Sequence, residues 1–323
     1  MTRASIFEGS DSDRPGLAAG LMAGALVTLA LQDSIVRYAG ADTTLWQFHF
    51  IRSSGNLVLL LVLARVIWGT APKWPNRFWP VAARSLLLLA ATIFFYGGVP
   101  RLTLAEMGAG LYTYPIFVTI LSAVVLREPV GIRRIGAVLA GALGAFLILQ
   151  PGSAGFHWVK LMPVGAGFCY AAMVIVTRRY CRRESPVTMA FGVGVAYVAA
   201  AAAGMVVLNL FPPGAAAQEV LPYLARGWLP LTWTLVGLAL VCSVLNVIAN
   251  LGLTMAYQNA ESSWLAPVDY CYLIFATLWG LAFFGDFPNA SMLAGMGLIA
   301  TAGAFTAWRE RRLKRVVQAP AVR

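Results

Sequence analysis

Ten long apolar runs, separated by short polar or proline-bearing gaps, dominate this chain. They cover residues 17–36, 43–68, 81–98, 103–126, 132–150, 161–180, 187–210, 232–256, 262–284 and 291–308. A helix crosses a bilayer core with about 20 mostly apolar residues at about 1.5 Å of rise each, and every run is close to that length or beyond it. The runs are continuous and do not alternate, so barrel strands are excluded and helices remain as the way to pair the backbone in lipid. Composition agrees: of 323 residues, 59% are hydrophobic and 11% charged. A soluble domain carries roughly 25% charged residues, so lipid must be the solvent for most of this chain.

Charge orients the runs. Lys and Arg exceed Asp and Glu by 24 to 13, a bias that in a soluble chain would suggest nucleic acid as partner. Here most of the basic residues sit in the gaps, with Arg52 and Arg84 inside runs. With the N-terminus in the cytoplasm, eighteen fall in cytoplasmic segments, among them Arg65, Lys73, Arg77, Arg127, Arg178, Arg179, Arg182, Arg183 and the cluster from Arg309 to Arg315. The opposite face receives only Arg37, Arg101, Lys160 and Arg226. That asymmetry is the positive-inside rule, and it predicts ten spans with both termini cytoplasmic in a bacterial-type inner membrane, with no nucleic-acid partner. Residues 1–16, which carry Glu8, Asp11 and Asp13 where a signal peptide would be basic, are expected to be a mobile cytoplasmic segment. Residues 309–323 form a basic cytoplasmic tail, expected to be mobile after Arg315.

The two halves echo each other. Gly136 and Gly144-Ala145-Phe146 in the fifth run recur as Gly295 and Gly303-Ala304-Phe305 in the tenth. Ala105-Glu106 recurs as Ala260-Glu261, the boundary at Glu128-Pro129 as Asp286-Phe287-Pro288, and Arg37-Tyr38 as Arg179-Tyr180. Five is an odd number of spans, so two five-span repeats in series must lie in opposite orientations, with a solute held between them near the midplane. The expected fold is therefore all-α: a polytopic membrane protein of ten transmembrane helices in two inverted five-helix repeats, 17–152 and 153–308, around a central cavity.

Further stretches carry a family likeness. Leu104-Ala105-Glu106, Tyr114-Pro115, Leu126-Arg127-Glu128-Pro129-Val130-Gly131, Arg134, Gly136, Gly144 and Pro151-Gly152 resemble the first-repeat signature of the EamA-type drug/metabolite transporters. Ala266-Pro267-Val268-Asp269-Tyr270, Trp279-Gly280 and Phe284-Gly285-Asp286-Phe287-Pro288 resemble the second. The resemblance covers essentially the whole chain. It implies the ten-helix inverted-repeat fold and a carrier or exchanger of small organic solutes; members handle amino acids, nucleotide-like metabolites, vitamins and drugs.

Ionisable residues inside spans are costly and mark function or pairing. Arg52 lies near the middle of the second run, one turn after His49 on the same face, where its guanidinium could clamp a carboxylate or join an internal ion pair. His49 could shuttle a proton or simply bond a carbonyl. Asp33 and Arg37, four apart, form an interfacial pair in the plain reading; Asp33 as a proton or cation site is the sharper one. Asp269 sits about 10 Å inside the ninth run by the helical rise, flanked by Tyr270 and Tyr272, and is too short to snorkel. Asn246 and Asn250 are spaced to point the same way and could bond a solute or join helices. Tyr112, Tyr114 and Pro115 mark a kink in the fourth run, with Tyr96 a further aromatic candidate. Glu128 and Asp286 read as helix-start acids.

A secondary transporter moving a small organic metabolite by alternating access is the expected function. An amino acid or related zwitterion would set its carboxylate on Arg52 and its amine on Asp269, with a proton as a candidate coupling ion. A lipid flippase or membrane scaffold is the alternative, and an intramembrane enzyme ranks lower. The glycine that would precede Phe284-Gly285-Asp286 in an aspartyl site is missing, and there is no G-x-S-x-G, H-E-x-x-H or Walker sequence. Cys169, Cys181, Cys242 and Cys271 form no metal-spaced pair, so no metal or cofactor is expected.

Overall fold

The computed structural model describes residues 15–66, 69, 71–99, 101–127, 132–150, 156–260, 265 and 268–318. Residues 1–14, Glu128, Glu261, Pro267 and the last five residues of the tail lie outside them. Among the described residues every regular element is a helix. The helices are α1 Pro15–Ala39, α2 Leu45–Val66, α3 Phe78–Gly97, α4 Leu104–Leu111, α5 Tyr114–Val125, α6 Ile132–Leu149 and α7 Met162–Tyr180. They continue as α8 Pro186–Leu210, α9 Ala215–Val220, α10 Pro222–Ala225, α11 Trp233–Asn259, α12 Cys271–Phe284 and α13 Ala290–Gln318. Seven stretches among the described residues are long and apolar enough to cross a bilayer, and three shorter apolar helices, Val138–Leu149, Cys271–Phe284 and Ala290–Ala302, fill other runs. The chain is an all-α polytopic membrane protein.

Pro15 and Gly16 open α1, where proline's fixed φ suits the first turn. α13 runs on without a breaker past Arg315 as far as Gln318.

Side chains are sorted for lipid. Val124, Leu139, Phe146, Leu210, Ile274 and Phe283 are exposed, whereas Gln32, Asp33, Gln47, His49, Arg52 and Ser53 are buried. A soluble protein would show the reverse. Packing crosses from one half of the chain to the other: α1 lies on α11 and α12, α3 on α7 and α8, α2 on α8 and α11, α4 on α7 and α12, and α6 on α13.

Local chemistry sets the helix ends near the site. Thr103 accepts from the Glu106 amide at 3.2 Å, and Glu106 accepts from the Thr103 amide at 2.9 Å, a reciprocal cap that starts α4. Lys160 then neutralises Glu106 at 2.9 Å. At the end of α12, Gly285 takes a left-handed φ of 67°, which a side chain would resist, and the chain turns so that Asp286 meets Arg37 of α1.

That contact replaces the expected Asp33–Arg37 pair and the helix-start role of Asp286. Arg37 is bound to Asp286 and its guanidinium lies 4.1 Å from the Phe284 ring centroid, while Asp33 turns inward. The paired side chains are only 12% and 23% exposed, so water screens them partially. Arg37→Ala and Asp286→Ala are each expected to destabilise the fold by about 1–3 kcal/mol, with a coupling energy of about 1 kcal/mol or more in the double-mutant cycle. Thermal unfolding of the four proteins in detergent measures it, and additive losses would show that the pair contributes nothing.

Candidate functional site

Two helices are interrupted inside the protein, and their breaks meet. After α4, Tyr112 and Thr113 form a turn before α5 begins. Pro115 causes it: it has no N–H to give and its ring disfavours helical geometry just before it. The Thr113 hydroxyl takes over the Gly110 carbonyl at 2.6 Å. In the ninth run, Val268 and Asp269 are helical, Tyr270 is a turn, and α12 starts at Cys271.

The Tyr112 hydroxyl donates to the Asp269 carbonyl at 2.7 Å, joining the two breaks. Its ring lies 5.3 Å from that of Tyr270 and stacks on Tyr272 at 5.7 Å. Tyr114 donates to the Asp269 carboxylate at 3.4 Å and meets Tyr170 edge to face at 5.2 Å. Small residues permit this approach: a side chain at Gly108 would press on Tyr272, and one at Gly167 would meet the Leu111 carbonyl at 3.0 Å.

A second polar group joins the first through Tyr272. Both oxygens of Asp33 are occupied, one by the Tyr96 hydroxyl and the other by the Tyr272 hydroxyl, each at 2.5 Å. Arg52 lies with its guanidinium 5.8 Å from the Tyr96 ring centroid. Its Nη1 reaches the Gln32 amide oxygen at 3.3 Å once that amide is turned to donate to the Cys242 carbonyl. Ser243 donates to the Arg52 carbonyl at 2.8 Å, fixing α11 against α2. His49 packs edge-on to Tyr96 at 5.1 Å between centroids. The Leu45 carbonyl approaches the His49 ring, but without hydrogen-bond geometry.

The structure thus gathers Asp33, His49, Arg52 and Tyr96 into one group and Tyr112, Tyr114, Asp269 and Tyr270 into another. It does not bring Arg52 and Asp269 into contact: the links between them run through Tyr96, Asp33, Tyr272 and Tyr112. Asn246 faces α2, accepting from Asn56 at 3.4 Å. Asn250 is exposed and donates both to the Asn246 carbonyl at 2.8 Å and to the Asn246 amide oxygen at 3.3 Å, so the two amides meet on one side of α11. Tyr272, Gln32 and Tyr170 belong to the network although sequence reasoning did not select them. Tyr272 carried a signal, as the second aromatic flanking Asp269.

Residues 16–150 match the EamA-like transporter family. Among relatives, the riboflavin transporter of Rhizobium johnstonii is 28% identical over 86% of this chain and 84% of its own. The riboflavin transporter of Vibrio cholerae is 31% identical over 64% of this chain and 63% of its own. The S-adenosylmethionine uptake transporter of Rickettsia prowazekii is 22% identical over 89% and 91%. One solved crystal structure, 19% identical, shares the fold with a TM-score of 0.52 across 92% of this chain and 97% of that one.

Proposed function

We propose, from the premise that residues 16–150 belong to the EamA-like transporter family, that two inverted five-helix repeats in this chain carry a flat heteroaromatic solute by alternating access. The coarser reading, a secondary transporter of a small organic solute and not an enzyme, is in keeping with relatives that are named as transporters.

Two features support the inverted repeat. If run n of the first half corresponds to run n + 5, the packing of α1 on α11 has its counterpart in α7 on α3, and that of α2 on α11 in α8 on α3. The contact of α1 with α12 likewise corresponds to that of α7 with α4 and α5. The pairs α2 with α8, α4 with α12 and α6 with α13 are their own counterparts, as a twofold axis requires. Contacts between connecting segments also respect the expected sides. Arg37 meets Asp286, Lys160 meets Glu106, and Arg101 donates to the Glu219 carbonyl at 2.7 Å, all on the face expected to be external. Glu184 accepts from the Arg77 amide at 2.8 Å, and Arg179 donates to the Val125 carbonyl at 2.6 Å, both on the cytoplasmic face. The same pattern favours ten spans, the boundary near residue 152 and cytoplasmic termini.

The observation that carries the substrate reading is the meeting of the two broken helices on stacked tyrosines. Interrupted helices near a repeat interface are where such carriers bind solute. Tyrosine faces suit a flat ring, in keeping with relatives named for riboflavin and S-adenosylmethionine. A simple amino acid suits the site less well. Its amine and carboxylate hang on one carbon, whereas Arg52 and Asp269 are separated by four residues of the network. A solute with two distant polar ends would bridge that gap.

Uptake of radiolabelled riboflavin and S-adenosylmethionine into proteoliposomes tests this. Saturable transport of at least one, without ATP, is the expected result. Tyr112→Ala should lower the initial rate at least tenfold at equal protein abundance, a loss of about 1.4 kcal/mol or more in transition-state terms. Tyr112→Phe keeps the stack and should lose less. Transport of non-aromatic amino acids alone, indifferent to Tyr112, would overturn the heteroaromatic reading.

A further inference from the structure

One face of α2 carries a cluster of buried polar atoms that the protein leaves unsatisfied. His49 Nδ1 and Nε2, Arg52 Nε, Ser53 Oγ and Asn56 Oδ1 have no hydrogen-bond partner. Their spacing places them on one side of the helix, and His49, Arg52 and Ser53 are 3%, 5% and 1% exposed. Tyr223, in the short α10 on the expected external face, is fully buried, its hydroxyl unpartnered and within electrostatic reach of Arg52. α10 packs against both α2 and α3. In lipid such atoms find no water, and each orphan costs several kcal/mol in hydrocarbon.

Most of them can donate. A guanidinium nitrogen, an imidazole and the Ser53 hydroxyl share that side of α2, with the Asn56 acceptor at its far edge, and the Tyr223 hydroxyl lies within electrostatic reach of Arg52. The described ion pairs are Arg37–Asp286 and Lys160–Glu106, so Arg52 touches no carboxylate within salt-bridge distance among the described residues. Asp33 does not serve, because both its oxygens are held by phenols and Tyr96 stands between it and Arg52.

We propose that His49, Arg52 and Ser53, capped by Tyr223, form a subsite for an oxyanion of the transported solute, a carboxylate or a phosphate. The proposal deepens the carrier reading and rests on it. The solute would then place a ring near Tyr112 and an anionic end at Arg52, the separation that the network imposes. The Asn56 oxygen would accept from a hydroxyl or amide beside that end.

The test uses whole protein in lipid nanodiscs and equilibrium binding of two probe pairs that differ only by the oxyanion. Riboflavin is paired with riboflavin 5′-phosphate, and decarboxylated S-adenosylmethionine with S-adenosylmethionine. The oxyanion-bearing member of one pair should bind at least tenfold more tightly, and which pair shows it separates phosphate from carboxylate. Arg52→Gln should erase that advantage while leaving the member without the oxyanion within about twofold. Tyr223→Phe, at a site outside the spans, should reduce the advantage about threefold in a protein that folds even if Arg52→Gln does not. Equal binding of both members in both pairs, or equal weakening of both members by Arg52→Gln, overturns the subsite. If no probe of either pair binds, the heteroaromatic reading fails by itself. Millimolar acetate and inorganic phosphate then decide the subsite: binding lost in Tyr223→Phe or Arg52→Gln sustains it, and no anion binding ends it.

Discussion

Replacing Asp33 by alanine is expected to destabilise the protein by about 3–5 kcal/mol and to reduce transport below detection. The reason lies in what the carboxylate holds. One oxygen takes the Tyr96 hydroxyl of α3 and the other the Tyr272 hydroxyl of α12, so one side chain of α1 joins elements from both halves of the chain. Alanine leaves two buried phenols without their acceptor, about 1–3 kcal/mol each. It also removes a negative charge that lies behind Tyr96 from Arg52 without touching it. Asp33→Asn separates the two effects. The amide keeps one acceptor, and the other phenol can rotate to accept from the new N–H, so most of the stability should return. Transport should stay low if the charge matters, and recover if hydrogen bonding alone suffices. Thermal unfolding in detergent and counterflow in proteoliposomes give the two readouts. An Asp33→Ala protein melting within about 1 kcal/mol of wild type would show that the tie is not structural.

The spans were legible because lipid leaves one strong signal, the continuous apolar run. Each observed helix falls inside a predicted run or overlaps it, except the short α9 and α10. The break after Tyr112 was legible from Pro115, since proline acts on its own neighbours. What sequence hid was partner choice over long range. Asp33 and Arg37 have ideal helix-pair spacing, yet each found a better partner more than sixty residues away, Asp33 in two phenols and Arg37 in an acid presented by a left-handed glycine. Asn246 and Asn250 were legible as a shared face, since local helix spacing alone brings the second amide onto both the carbonyl and the amide oxygen of the first. Tyr223 gave no signal at all, because it stands in a short, proline-rich connection outside the apolar runs. Its burial comes from α10 folding back onto α2 and α3.

Gly144→Leu is the second large effect, expected to cost about 3 kcal/mol or more and to deplete folded protein from the membrane. The repeat Gly136–Gly144 and Gly295–Gly303 marks four positions in α6 and α13 but does not say where the helices touch. A Cβ at Gly144 would stand 2.7 Å from the Gly295 carbonyl and 3.1 Å from the Ile299 amide. One at Gly295 would stand 2.5 Å from the Gly144 carbonyl. These neighbours are backbone, so no rotamer change relieves the overlap and the two helices must move apart. At Gly136, eight residues earlier on the same helix, a Cβ meets nothing within 4 Å. Gly136→Leu is therefore the matched control: the same chemical change in the same helix should alter stability by less than about 1 kcal/mol. Membrane abundance and melting temperature of the two variants decide the matter. Equal loss from both would mean that glycine is needed for backbone flexibility along α6. Loss at Gly144 alone would locate the close crossing of α6 and α13 at that end of the pair, where backbone meets backbone.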